Sequence, residues 1–168
     1  MVPQATDFYF VGLHKNTAMI QRIQSLFLLV NIFLLLLLFK LTLFQGKTPG
    51  MQVSYTVINT VTTNSQNSSI AETNFVHIFL NAFLVLLTAV GIFLFKNRKV
   101  QMKMCLLSIL ILAFSFLILF LKKVSYSFTE SSFLMGTYLL IIIVILYLSS
   151  YFFIKKDEEL VKSADRLR

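Results

Sequence analysis

Apolar residues fall into four long runs, 23–44, 75–95, 104–121 and 133–154, separated by polar stretches. At 1.5 Å per residue the first run extends about 33 Å, enough to cross a hydrocarbon core of about 30 Å with some tilt. The pattern predicts an all-α fold: a polytopic membrane protein built as an antiparallel bundle of four transmembrane helices. The first run is broken only by Gln24, Ser25, Asn31, Lys40 and Thr42. It exceeds the apolar core of a signal peptide, and no small-x-small cleavage site follows, so it is expected to stay as a helix.

The longest polar stretch is 45–74. Gly46, Pro49 and Gly50 mark a turn near its start. Beyond them Val53, Tyr55, Val57 and Val61 alternate with Ser54, Thr56, Thr60 and Thr62, a period of two that belongs to strands. A short hairpin lying on the membrane surface fits this stretch, and an open loop fits it equally. Residues 155–168 are charged and extend the last run as a helical tail, with Glu158 and Lys162 placed for an i,i+4 pair.

Charge then orients the bundle. Lys15, Arg22, Lys96, Arg98, Lys99, Lys103, Lys155, Lys156, Lys162, Arg166 and Arg168 fall at one end of the runs. Lys40, Lys47, Lys122 and Lys123 fall at the other. Basic residues concentrate on the cytoplasmic side, so both termini are expected in the cytoplasm. The same clusters offer contacts to anionic headgroups on that side. The net charge of +8 therefore serves orientation, and no folded basic surface is left for nucleic acid. The single cysteine excludes an intramolecular disulfide.

The runs hold no Asp or Glu. Proton-coupled exporters usually need an intramembrane carboxylate, a diheme cytochrome needs several histidines, and a disulfide oxidoreductase needs cysteine pairs. None of these sets is present. No nucleophile–base pair, metal cluster or phosphate loop appears either, so neither catalytic residues nor a cofactor or metal is expected. What does enter the runs is a set of polar side chains at helical spacing. Gln24 and Asn31 are seven apart, as are Ser108 and Ser115, while His77, Asn81 and Thr88 share one helical face. Gln24, Asn31, Asn81, Thr88, Ser108 and Ser115 form a candidate packing seam, which serves interhelical hydrogen bonds or, on a sharper reading, a polar path. Lys40, His77, Glu72 and Glu130 form a candidate ionic cluster at the outer ends.

Met19-Ile20-Gln21-Arg22-Ile23-Gln24 before the first run, Lys96-Asn97-Arg98-Lys99 and Gln101-Met102-Lys103 between the second and third, and Ser163-Ala164-Asp165-Arg166-Leu167-Arg168 at the end are the most individual segments. Together they resemble a family of four-helix membrane proteins from Bacteroidetes known as a domain of unknown function. The resemblance runs from Met19 to Arg168. It implies a bacterial inner-membrane location and a four-helix fold, and brings no activity or site residues. In that family the chain tends to start at the position of Met19, so 1–18 is expected to be an upstream extension, disordered or untranslated. Residues 19–154 would be the membrane domain and 155–168 the tail, with Asp165, Arg166, Leu167 and Arg168 as candidate docking residues. The expected role is a non-enzymatic scaffold or accessory subunit of an envelope assembly, with a membrane-protein partner or further copies of itself. The alternative is a small homo-oligomeric transporter or channel.

Overall fold

The structure, a computed structural model, describes residues 25–66, 68–94 and 97–166, with side chains as far as Ser163. In chain order it contains α1 (Ser25–Leu38), β1 (Thr42–Thr48), β2 (Met51–Thr56), β3 (Asn59–Asn64), β4 (Ser69–Thr73), α2 (Phe75–Phe93), α3 (Arg98–Ser125), β5 (Glu130–Phe133) and α4 (Met135–Arg166). The five strands form one antiparallel sheet in the order β4-β3-β2-β1-β5. The fold is therefore mixed α and β, and the all-α expectation is corrected.

Two local causes account for the difference. The first apolar run does not remain helical to Phe44. After Leu38 the backbone tightens, with Phe39, Lys40 and Leu41 each donating to the carbonyl three residues back. Thr42, Leu43 and Phe44 then open β1. Hydrophobicity alone cannot separate a buried strand from the end of a buried helix. The second cause is that the strand-like alternation after Pro49 is a real ladder. Gly50 turns β1 into β2 at φ +90, a conformation in which a side chain would be strained. Residues 57–58 return the chain from β2 into β3, residues 65–68 separate β3 from β4, and β5 closes the other edge from the α3–α4 connection.

Cross-strand pairing sorts the sheet into two faces. One row runs Phe133, Phe44, Tyr55, Thr60, Glu72 and faces the helices. The row on the opposite face runs Ser132, Gln45, Ser54, Val61, Ala71 and is mostly polar. Phe44 stacks on Tyr55 with ring centroids 4.9 Å apart. Phe128 lies directly over Gly46, where a Cβ would come within 2.5 Å of its ring. The sheet is also clasped by α4. Leu134 N and Thr137 Oγ1 both donate to Leu43 O, at 2.9 and 2.5 Å, and a Cβ on Gly136 would lie 2.8 Å from Thr42 O.

Each helix buries a stripe spaced alternately three and four residues, the seam of left-handed helix packing. The stripes are Leu28, Asn31, Leu35, Leu38 in α1; His77, Asn81, Leu84, Thr88, Gly91 in α2; Gln101, Cys105, Ser108, Leu112, Leu119 in α3; and Leu140, Ile143, Tyr147, Ser150, Ile154, Asp157 in α4. The opposite faces are apolar and exposed, with Phe75, Phe79 and Phe93 on α2, Leu110 on α3 and Phe152 on α4 among them. Three helices are long and apolar enough to cross a membrane: α2, α3 and residues Met135–Ser163 of α4.

Candidate functional site

The polar seam begins where the sheet meets the helices. Tyr55 points inward from β2 and its hydroxyl lies 3.0 Å from His77 Nδ1. His77 Nε2 lies 3.3 Å from the carbonyl oxygen of Ser115 on α3. A carbonyl only accepts, so Nε2 carries the proton; in the neutral tautomer Nδ1 then accepts and Tyr55 donates. Both nitrogens are used, which ties β2, α2 and α3 together through one ring. Burial pushes the Tyr55 phenol up to about 12, with Tyr126 adding to the shift. Asn74 supplies a second tie. Its Nδ2 donates to Thr56 O at 3.0 Å and its Oδ1 accepts from Thr60 at 3.1 Å, so the residue ahead of α2 is fastened to the β2–β3 turn.

Deeper in, Asn81 Nδ2 donates to Leu35 O at 3.0 Å, joining α2 to α1. Thr88 Oγ1 bonds to Leu84 O at 2.6 Å and also meets the Tyr147 hydroxyl of α4. Ser108 of α3 lies beside that same hydroxyl and donates to Met104 O in its own helix. At the far end Gln101 Nε2 donates to Gly91 O at 3.1 Å. The contacts obey one register. Fourteen residues along α2, from His77 to Gly91, match fourteen back along α3, from Ser115 to Gln101. In that register α3 continues past the start of α2 by about two turns. Its end rises beside the sheet, where Lys123 sits 3.6 Å over the Phe133 ring.

Of the candidate seam, Asn81 and Thr88 make interhelical bonds, Ser108 borders one, and Ser115 contributes its backbone carbonyl. Asn31 is fully buried, yet neither of its amide atoms has a hydrogen-bond partner. Gln24 lies outside the described residues. An unpaired buried polar atom costs about 1–3 kcal/mol, whereas an apolar group of the same shape costs nothing there. Asn31→Leu is therefore expected to raise stability by about 1–3 kcal/mol, read as a higher midpoint in thermal unfolding of the detergent-solubilised protein. An unchanged or lowered midpoint would show that the amide finds a partner.

The seam ends in a charge pair that the apolar runs concealed. Asp157 of α4 is fully buried, and Arg98 Nε at the start of α3 approaches its Oδ2 to 3.0 Å. The approach is off the N–H direction, so neither carboxylate oxygen gains an aligned hydrogen bond. The pair rests on charge rather than on hydrogen-bond geometry. The signal was present in the sequence: Asp157 continues the three-four spacing of Leu140, Ile143, Tyr147, Ser150 and Ile154.

The outer ionic cluster is not assembled. His77 is committed to Tyr55 and Ser115. Lys40, Glu72 and Glu130 are exposed, and no ion pair joins them among the described residues. Glu72 is on β4 and Glu130 on β5, opposite edges of the sheet, four strand spacings or about 19 Å apart. In the tail, Glu158 and Lys162 pair at 2.9 Å. Asp165 and Arg166 continue the helical backbone, but their side chains, with Leu167 and Arg168, lie outside the described residues, as does segment 1–18.

Between sheet and helices is a cavity of about 10 Å³, lined by His77, Asn81, Ser115 and leucines of α1, α2, α3 and α4. That is room for about one water molecule. Among the described residues no group of three His, Cys, Asp or Glu is placed to hold a metal ion, and Cys105 is a buried free thiol.

Comparison with curated proteins gives no match. The sequence profile of a family described as a domain of unknown function, DUF4293, matches residues 20–167. That match takes in the sheet and all four helices, and the chain belongs to the DUF4293 family.

Proposed function

We propose that this protein is a non-enzymatic membrane scaffold, an accessory subunit that carries a small β-sheet at the outer face of a bacterial inner membrane. The carrying observation is how the interior polar groups are used. Tyr55, His77, Asn81, Thr88, Tyr147 and Gln101 bond one element to another, and the cavity beside them has room for about one water. Such a seam fastens helices, and among the described residues its polar groups are spent on contacts between elements. Orientation follows from Arg98, Lys99, Lys103, Lys155 and Lys156, which lie at the helix ends away from the sheet. With those ends cytoplasmic, the sheet and both termini take opposite sides.

The sheet then offers what a scaffold needs. Among the described residues its edges, β4 and β5, have no further strand beside them, and every residue of β4 is exposed. An open edge recruits a partner strand through main-chain hydrogen bonds. In an antiparallel edge strand successive residues direct their N–H groups alternately toward the neighbour and outward. Of Ala71→Pro and Glu72→Pro, one therefore removes a bond to β3 and the other removes only an outward donor. The outward variant is expected to keep wild-type thermal unfolding and lose partners that copurify in mild detergent. Retention of those partners by a folded outward variant would remove the edge from the proposal. A stable homo-oligomer without partners, together with flux lost in Asn81→Leu, would favour the transporter reading instead.

A further inference from the structure

We infer that the junction between sheet and helices contains a built site for a single water molecule, held between Asn81 of α2 and Ser115 of α3. Three observations converge. The cavity there is about 10 Å³, close to the smallest that holds one water. Asn81, Ser115 and His77 line it, so its wall is not purely apolar. Asn81 is 4% exposed, and its Oδ1 has no hydrogen-bond partner in the protein.

The chemistry of the wall selects water over other occupants. The Asn81 amide cannot be turned around, because the group facing Leu35 O must be the Nδ2 donor. Its Oδ1 is left as an acceptor that needs a proton donor. His77 cannot provide one, since its Nε2–H is given to Ser115 O and its Nδ1 accepts from Tyr55. A cation is disfavoured by the leucine walls and by the lack of a carboxylate among the lining residues. Water donates to Asn81 Oδ1 and still has a donor and two lone pairs for the Ser115 hydroxyl, which gives it the two partners a buried water needs. It would run from Asn81, one turn along α2 from the His77 tie, to Ser115 on α3, and complete the contact begun by Asn81 on α1.

The test is a crystal structure of the full chain in a lipidic phase, at a resolution that shows ordered solvent. Wild type is expected to show one solvent peak within hydrogen-bond distance of Asn81 Oδ1. Asn81→Leu removes the acceptor and fills the space, so its peak should vanish. Ser115→Ala removes one partner and should weaken the peak while leaving the fold unchanged. Should Asn81→Leu fail to fold, Ser115→Ala and water–amide cross-relaxation at Asn81 Nδ2–H in the labelled wild type carry the test. A long-lived water contact there supports the site. A dry cavity, or an Asn81 Oδ1 bonded to protein, overturns it.

Discussion

Arg98→Ala is expected to destabilise the protein by about 3–5 kcal/mol, the cost of leaving a buried charge without its partner. Asp157 has no exposed surface, while Arg98 retains 23% of its side-chain exposure. The asymmetry predicts an order among variants. Arg98→Ala strands a carboxylate in the helix packing. Asp157→Asn strands only a guanidinium that can already reach water, so its cost is smaller. The double variant Arg98→Leu, Asp157→Leu replaces both charges with apolar bulk and should recover most of the loss, because a buried pair is rarely worth more than good packing. Thermal or denaturant unfolding of the four proteins in one detergent reads this order directly, and adding the Arg98→Ala, Asp157→Asn double variant closes a double-mutant cycle. An Arg98→Ala variant as stable as wild type would mean that the pair does not hold α4 to α3.

Asp157 also shows what could be read from the chain. The polar seam was legible because seven-residue spacing survives any error in helix ends: Asn81, Thr88 and Ser108 are buried where that spacing put them. Asp157 was hidden by the same emphasis on apolar runs. The fourth run stops at Ile154, but the buried stripe does not, and a charge one turn further on falls in the charged helical tail. Gln101 is obscured for a similar reason. It sits between Lys99 and Lys103, in the basic stretch that separates the second and third runs, yet α3 begins at Arg98 and turns Gln101 inward. The sheet was half legible. The alternation from Val53 to Thr62 pointed to strands, but β1 starts inside an apolar run and β5 is only Glu130–Phe133. Neither has a period that distinguishes it, because their pairing is decided by partners far along the chain. Similar depth does not bring the outer cluster together, because the sheet spreads Glu72 and Glu130 to opposite edges.

The sheet is useful to the rest of the molecule only if it is rigidly attached, and Tyr55 is the attachment with the most to lose. Its ring is 1% exposed, stacks on Phe44 and meets His77 edge-on at 5.5 Å. Tyr55→Ala removes this packing and leaves His77 Nδ1 without a donor, so a loss of about 3–5 kcal/mol is expected, as for other large aromatic truncations. Tyr55→Phe keeps the ring and removes only the donor, for about 1–3 kcal/mol. The two variants separate packing from hydrogen bonding in one unfolding series. Alkaline pH probes the same hydroxyl without a mutation. Burial raises the phenol from 10.0 to about 12, so the folded state holds its proton where the unfolded chain has lost it. That contribution is fully present below about pH 10 and is lost as pH rises through about 12. The gap in midpoint between wild type and Tyr55→Phe should therefore narrow across this window. A gap that stays constant to pH 12 would show that the hydroxyl is not held as the His77 geometry requires, and the sheet would then be anchored chiefly by Asn74 and by the clasp of α4 on Leu43.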